Sequence, residues 1–148
     1  MINTPNKIIV HHTAAVEPTP QFDAINEWHK AREFPLSRLG WYVGYHIVIE
    51  KDGTPVIARE LSEEGAHTVG ENFSSIGICL VGNFDVEMPT PEQVETLAIY
   101  LHAYCIAYNI KENQIFPHRK YANKDCYGTN LPDIWAQSIL VQWRIKHK

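Results

Sequence analysis

Three consecutive apolar residues, Ile8, Ile9 and Val10, lie between Lys7 and the pair His11 and His12, and the run reads as a short buried strand. Successive strand side chains point to opposite faces, so His11 and His12 cannot both face one site unless the strand has already ended. After a proline-bearing loop, Phe22, Ile25, Trp28 and His29 recur at three- and four-residue steps, which predicts an amphipathic helix from Gln21 to about Glu33, packed on the sheet. The stretch FPLSRLGWYVG is rich in turn formers and aromatics and reads as a long surface loop. Tyr45 to Glu50 then reads as a strand, Lys51 to Gly53 as a turn, and Thr54 to Ala58 as the returning hairpin partner.

Ser75 to Val81 is nearly continuous apolar sequence, as expected of a central strand covered on both faces. Thr90 followed by Pro91 and Gln93 forms a capping-box pattern that opens a helix carrying Val94, Leu97, Leu101, Tyr104, Cys105 and Tyr108 and ending near Asn109. Ile115 to His118 reads as a last short strand and residues 119–131 as a loop. Pro132 is expected to open a closing helix with Ile134, Trp135, Ile139, Leu140 and Trp143 on its apolar face. The mixture of elements argues for α/β architecture: a single domain over residues 1–148, with a central mixed β-sheet flanked by α-helices.

The 148 residues, 45% hydrophobic, 20% charged and 11% aromatic, match an ordinary folded domain. A net charge of −4 argues against a nucleic-acid partner, which needs a basic footprint, and against an acidic membrane surface. The first residues lack a charged segment followed by an apolar stretch, so neither a secretory signal nor membrane insertion is expected and the chain is expected to be cytoplasmic when made. Three cysteines without a CxxC pair argue against a disulfide framework. Cys79 and Cys105 read as buried, inert thiols, whereas Cys126 has polar neighbours.

His118 and Cys126 stand eight residues apart in PHRKYANKDC. With His11 they make two imidazoles and a thiolate, a set that can hold one Zn2+ and leave a fourth position for water. Taken alone, each has a plainer explanation: a histidine closing an apolar strand is commonly structural, and a histidine and a cysteine in one loop need share no metal. Lys124 alone is a solvated loop lysine, and Tyr45 alone a strand aromatic. His12, His29, His46, His102 and His147 read as surface or supporting positions. There is no HExxH, so a helix-borne glutamate base is not indicated.

Four segments in order, IIVHHTA, GWYVGYHIVIEKDGT, GAHTVGENFSSIGICLVGNF and PHRKYANKDC, resemble the zinc-dependent N-acetylmuramoyl-L-alanine amidases of the type 2 amidase family, which includes peptidoglycan recognition proteins and small bacteriophage amidase lysozymes. The resemblance runs from about Lys7 to Trp135 and implies that family's fold. It further implies His11, His118 and Cys126 as ligands of one Zn2+, Lys124 as the lysine facing the reaction's oxyanion, and Tyr45 as the active-site tyrosine. The implied substrate is bacterial peptidoglycan, cut between N-acetylmuramic acid and L-alanine. Trp41, Tyr42 and His67 are expected to line the substrate groove, where flat rings suit sugar and peptide.

The resemblance implies a phage or prophage endolysin that reaches the wall through a membrane lesion, and a monomer is expected. Two alternatives come with it, a peptidoglycan binder without hydrolysis and a contact with a phage RNA polymerase. Where many members read CPG after the ligand cysteine, this chain reads Cys126, Tyr127, Gly128, losing the proline that would fix φ there.

Overall fold

The structure, a computed structural model, describes residues 2–16 and 20–148; Glu17, Pro18 and Thr19 of the expected proline-bearing loop lie outside the described residues. Its elements in chain order are β1 (Lys7–His12), α1 (Phe22–Ala31), β2 (Ile47–Ile49), β3 (Pro55–Ile57), β4 (Ser75–Leu80), α2 (Pro91–Tyr108), β5 (Ile115–Pro117) and α3 (Trp135–Lys146). Short 3-10 turns cover Glu112–Gln114 and His118–Lys120. The five strands form one sheet in the order β3-β2-β4-β1-β5. β1 runs parallel to both β4 and β5, β2 is parallel to β4, and β3 is antiparallel to β2, so the sheet is mixed, as expected.

Strand alternation gives the sheet two differently used faces. Ile8 and Val10 of β1, Ile47 and Ile49 of β2, and Ile76, Ile78 and Leu80 of β4 pack with Leu97, Leu101 and Tyr104 of α2 and with Trp135, Ala136 and Leu140 of α3. On the other face Val48, Cys79 and Val81 meet Phe22 and Ile25 of α1. α2 and α3 therefore cover one side and α1 the other. His11 falls on the α1 side.

The helix ends differ in how visible they are. At α2 the Thr90 hydroxyl accepts from the Gln93 N–H and the Gln93 amide oxygen accepts from the Thr90 N–H, each at 3.1 Å, which is the expected capping box. Asn109 closes the helix in the left-handed region at φ 55°. α1 has no local cap; the Glu50 carboxylate, at the end of β2, accepts from the N–H groups of Gln21 and Phe22 at 2.9 to 3.0 Å. A negative charge suits a helix N-terminus. α1 ends at Ala31, before the expected Glu33, because Glu33 itself turns left-handed at φ 62°.

The closing helix begins at Trp135 and not at Pro132. The Tyr127 hydroxyl takes the place of a cap: it accepts from the Ala136 N–H at 3.2 Å and donates toward the carbonyls of Pro132 and Asp133, 3.1 and 2.8 Å away. Among the described residues, no helix is long and apolar enough to cross a membrane.

Candidate active site

Three of the expected site residues come together at the carboxyl ends of the parallel strands, where crevices form in sheets of this kind. β1 delivers His11, opposite Cys79 of β4 in register. β5 ends at Pro117, paired with Val10, and His118 follows at once. Cys126 arrives from the loop after β5, which folds back so that the Arg119 N–H donates to the Cys126 carbonyl at 2.7 Å. The Arg119 side chain holds the same loop, donating to the carbonyls of Gly128 and Leu131 and pairing with Asp133. As a result the ligand atoms of His11, His118 and Cys126 all lie within 4.8 Å of one another.

Two nitrogens and one sulfur at such spacing are the donor set of a divalent metal centre. Burial drives His11 well below the ordinary imidazole range, with His67 and His118 adding to the effect, and brings His118 down to about 4, Lys124 contributing. Both rings are thus held neutral, the form that ligates. Burial pushes the Cys126 thiol up to about 12, although the His12 N–H and the positive charges of Lys124 and Arg119 oppose this. A cation bound to the sulfur would favour the thiolate.

A cleft of about 730 Å³ opens over this cluster. A row of rings leads through it: His118 to His11 at 4.4 Å, His11 to Tyr45 at 5.0 Å, and Tyr45 to His29 at 5.5 Å between centroids. Burial and the neighbouring Cys79 keep the Tyr45 phenol well above its ordinary range, so it is a neutral donor. Lys124 is exposed on the opposite lip, and among the described residues its ammonium makes no hydrogen bond or ion pair.

His67 also lines the cleft, with its Nδ1 3.0 Å from His11 Nε2. Trp41 and Tyr42 do not. Trp41 packs edge-on against Phe22 at 4.9 Å beneath α1, and Tyr42 lies under the Lys30 ammonium, its N–H bonded to Asn26 at 2.6 Å. The end of the expected surface loop is thus used to cover α1, Val43 being fully buried. The aromatic lining comes instead from Trp28, Phe34 and Tyr121. Trp28 carried the periodic signal of a core residue, yet it is 55% exposed and turned to the cleft.

The remaining histidines divide as follows. His29 is buried, accepts from the Gly44 N–H at 2.9 Å, and still reaches the cleft. His46 is buried between the Gly77 N–H and the Glu63 carbonyl. His12 points away from the metal-type cluster and accepts from the Phe84 N–H at 3.0 Å. Its side chain is a structural acceptor, as strand alternation required.

A histidine, histidine and cysteine cluster at the end of a mixed sheet is a three-ligand set that leaves a fourth position open, as catalytic zinc sites do. The chain belongs to the N-acetylmuramoyl-L-alanine amidase family, whose sequence profile matches residues 2–129. It is similar to the endolysin of Escherichia phage T7, 32% identical over 139 residues that cover 88% of this chain and 85% of that protein. The structure is similar to N-acetylmuramoyl-L-alanine amidase LysC from Clostridium intestinale, with a TM-score of 0.79, 33% identity, and coverage of 96% of this chain and 87% of that one. Peptidoglycan-recognition protein SC2 of Drosophila melanogaster is a more distant relative, 28% identical over 83% of this chain and 68% of its own length.

Proposed function

We propose that the protein is a zinc-dependent amidase that hydrolyses the bond between N-acetylmuramic acid and L-alanine in bacterial peptidoglycan, and that it works as an endolysin. The observation that carries the reading is the convergence of His11, His118 and Cys126 within 4.8 Å on the floor of a cleft that Tyr45 and Lys124 also line. Family membership and the similarity to endolysins support the substrate and the setting, in which the wall is reached through a membrane lesion.

When bound, Zn2+ supplies a Lewis acid for the amide carbonyl and activates a water molecule near neutral pH. The rest falls to side chains. Lys124, a compact cation whose ammonium makes no hydrogen bond or ion pair among the described residues, stabilises the negative charge that develops on the carbonyl oxygen. Tyr45 keeps its proton at neutral pH and orients the attacking water through the phenol oxygen. Trp28, Phe34 and Tyr121 offer flat faces to sugar and peptide along the cleft.

Digestion of purified peptidoglycan tests the reading. Mass spectrometry should find new L-alanine amino termini and intact glycan strands; new reducing sugar ends without new amino termini would make the protein a glycosidase and the reading wrong.

A further inference from the structure

The hydrogen atoms around His67 can be counted. The Ser75 hydroxyl has one proton and donates it to the Glu71 carbonyl at 2.7 Å. Its other partner, His67 Nε2 at 3.3 Å, must therefore be the donor. A neutral imidazole with its proton on Nε2 has a bare Nδ1. That Nδ1 lies 3.0 Å from His11 Nε2. Two bare nitrogens would repel at this distance, so the proton between them is on His11 Nε2. Thr68 Oγ1, 2.9 Å from His67 Nδ1, supplies a second donor to the same lone pair.

The space for this arrangement is reserved by glycine. A Cβ on Gly77, in the middle of β4, would stand 2.5 Å from Cδ2 of the His67 ring, and one on Gly65 would stand 2.4 Å from the same atom. Glycine weakens a strand interior and commonly marks a close approach; here the approaching group is the His67 imidazole. The His67 N–H is in turn fixed by Asn72 Oδ1 at 2.9 Å.

We infer that Ser75 and His67 are positioning residues that fix the tautomer and orientation of His11, so that His11 presents Nδ1 as its ligand atom. The inference rests on the metal-centre reading above, but the tautomer belongs to the protein alone. An imidazole whose second nitrogen is tied to a partner meets a metal ion already oriented, and loss of such a partner typically weakens metal affinity about 10–100-fold.

Long-range proton–nitrogen NMR of metal-free, histidine-labelled protein should find both His11 and His67 as Nε2–H tautomers. Ser75→Ala should return a mixture at both rings and weaken zinc binding, measured by competition with a chelator, by about 10–100-fold. A wild-type His11 carrying its proton on Nδ1 would overturn the inference, and this measurement needs no variant to fold. So would a Ser75→Ala protein that keeps both tautomers, whether its zinc affinity is unchanged or reduced, since a loss of affinity alone would mean a packing role. Wild-type protein with the expected tautomers but no zinc affinity would overturn the metal-centre reading.

Discussion

The His12 N–H donates to the Cys126 sulfur at 3.2 Å, joining positions 114 residues apart. This bond places the thiol at the end of β1, beside the ring of the preceding histidine. β1 and the loop after β5 thereby share one small site. Wild-type protein should carry about one zinc per chain, by the three-ligand count. His118→Ala and Cys126→Ala should each lose most of it by metal analysis; full retention in both would refute the ligand assignment.

Lys124 and Tyr45 lie at the cleft without belonging to the ligand set. Lys124→Ala should keep zinc and fold, yet lose about 100 to 1,000-fold in kcat with little change in KM, as for removal of one oxyanion donor. Tyr45→Phe keeps the ring and removes the hydroxyl, so a fall in kcat there reports the polar role. Turnover near that of the wild type in both variants would show that neither group acts in the reaction.

Burial holds His29 and His46 at about 4, against an ordinary value of 6.5. The unfolded chain therefore takes up protons first as pH falls. Stability associated with these rings is fully present above about pH 6.5 and is lost as pH falls toward 4. At pH 5 the effect is on the order of 2 kcal/mol for each ring. Urea midpoints of the metal-free protein should fall steadily between pH 7 and pH 5, and a flat profile would contradict the assignment.

Tyr127 is fully buried, and its hydroxyl caps α3 where many relatives of the resembled family would have proline. Tyr127→Phe leaves the Ala136 N–H without that partner and should destabilise the protein by about 1–2 kcal/mol. Zinc content should be preserved. A variant as stable as the parent in denaturant would show that the hydroxyl contributes nothing to the helix end.

What could be read from the sequence was what neighbouring residues decide. β1, β4 and the capping box of α2 are local patterns of alternation, apolar run and turn chemistry, and they stand within about a residue of expectation. The start of α3 and the anchoring of α1 were hidden because their partners, Tyr127 and Glu50, lie outside the helices they cap. Trp28 and Trp41 exchanged roles for a similar reason: helical spacing marks an apolar stripe but not which of its members faces the core and which the cleft. The grouping of His11, His118 and Cys126 was legible through resemblance. Ser75 was not, since a serine at the start of an apolar strand carries no signal until its hydroxyl is seen between Glu71 and His67.

The parallel order of β1 and β5 has a consequence for synthesis of the chain. His11 is made well before His118 and Cys126, so a nascent or truncated polypeptide ending before β5 holds one of the three proposed ligands. Wall-cutting activity, on the proposed mechanism, switches on only when the final strand docks.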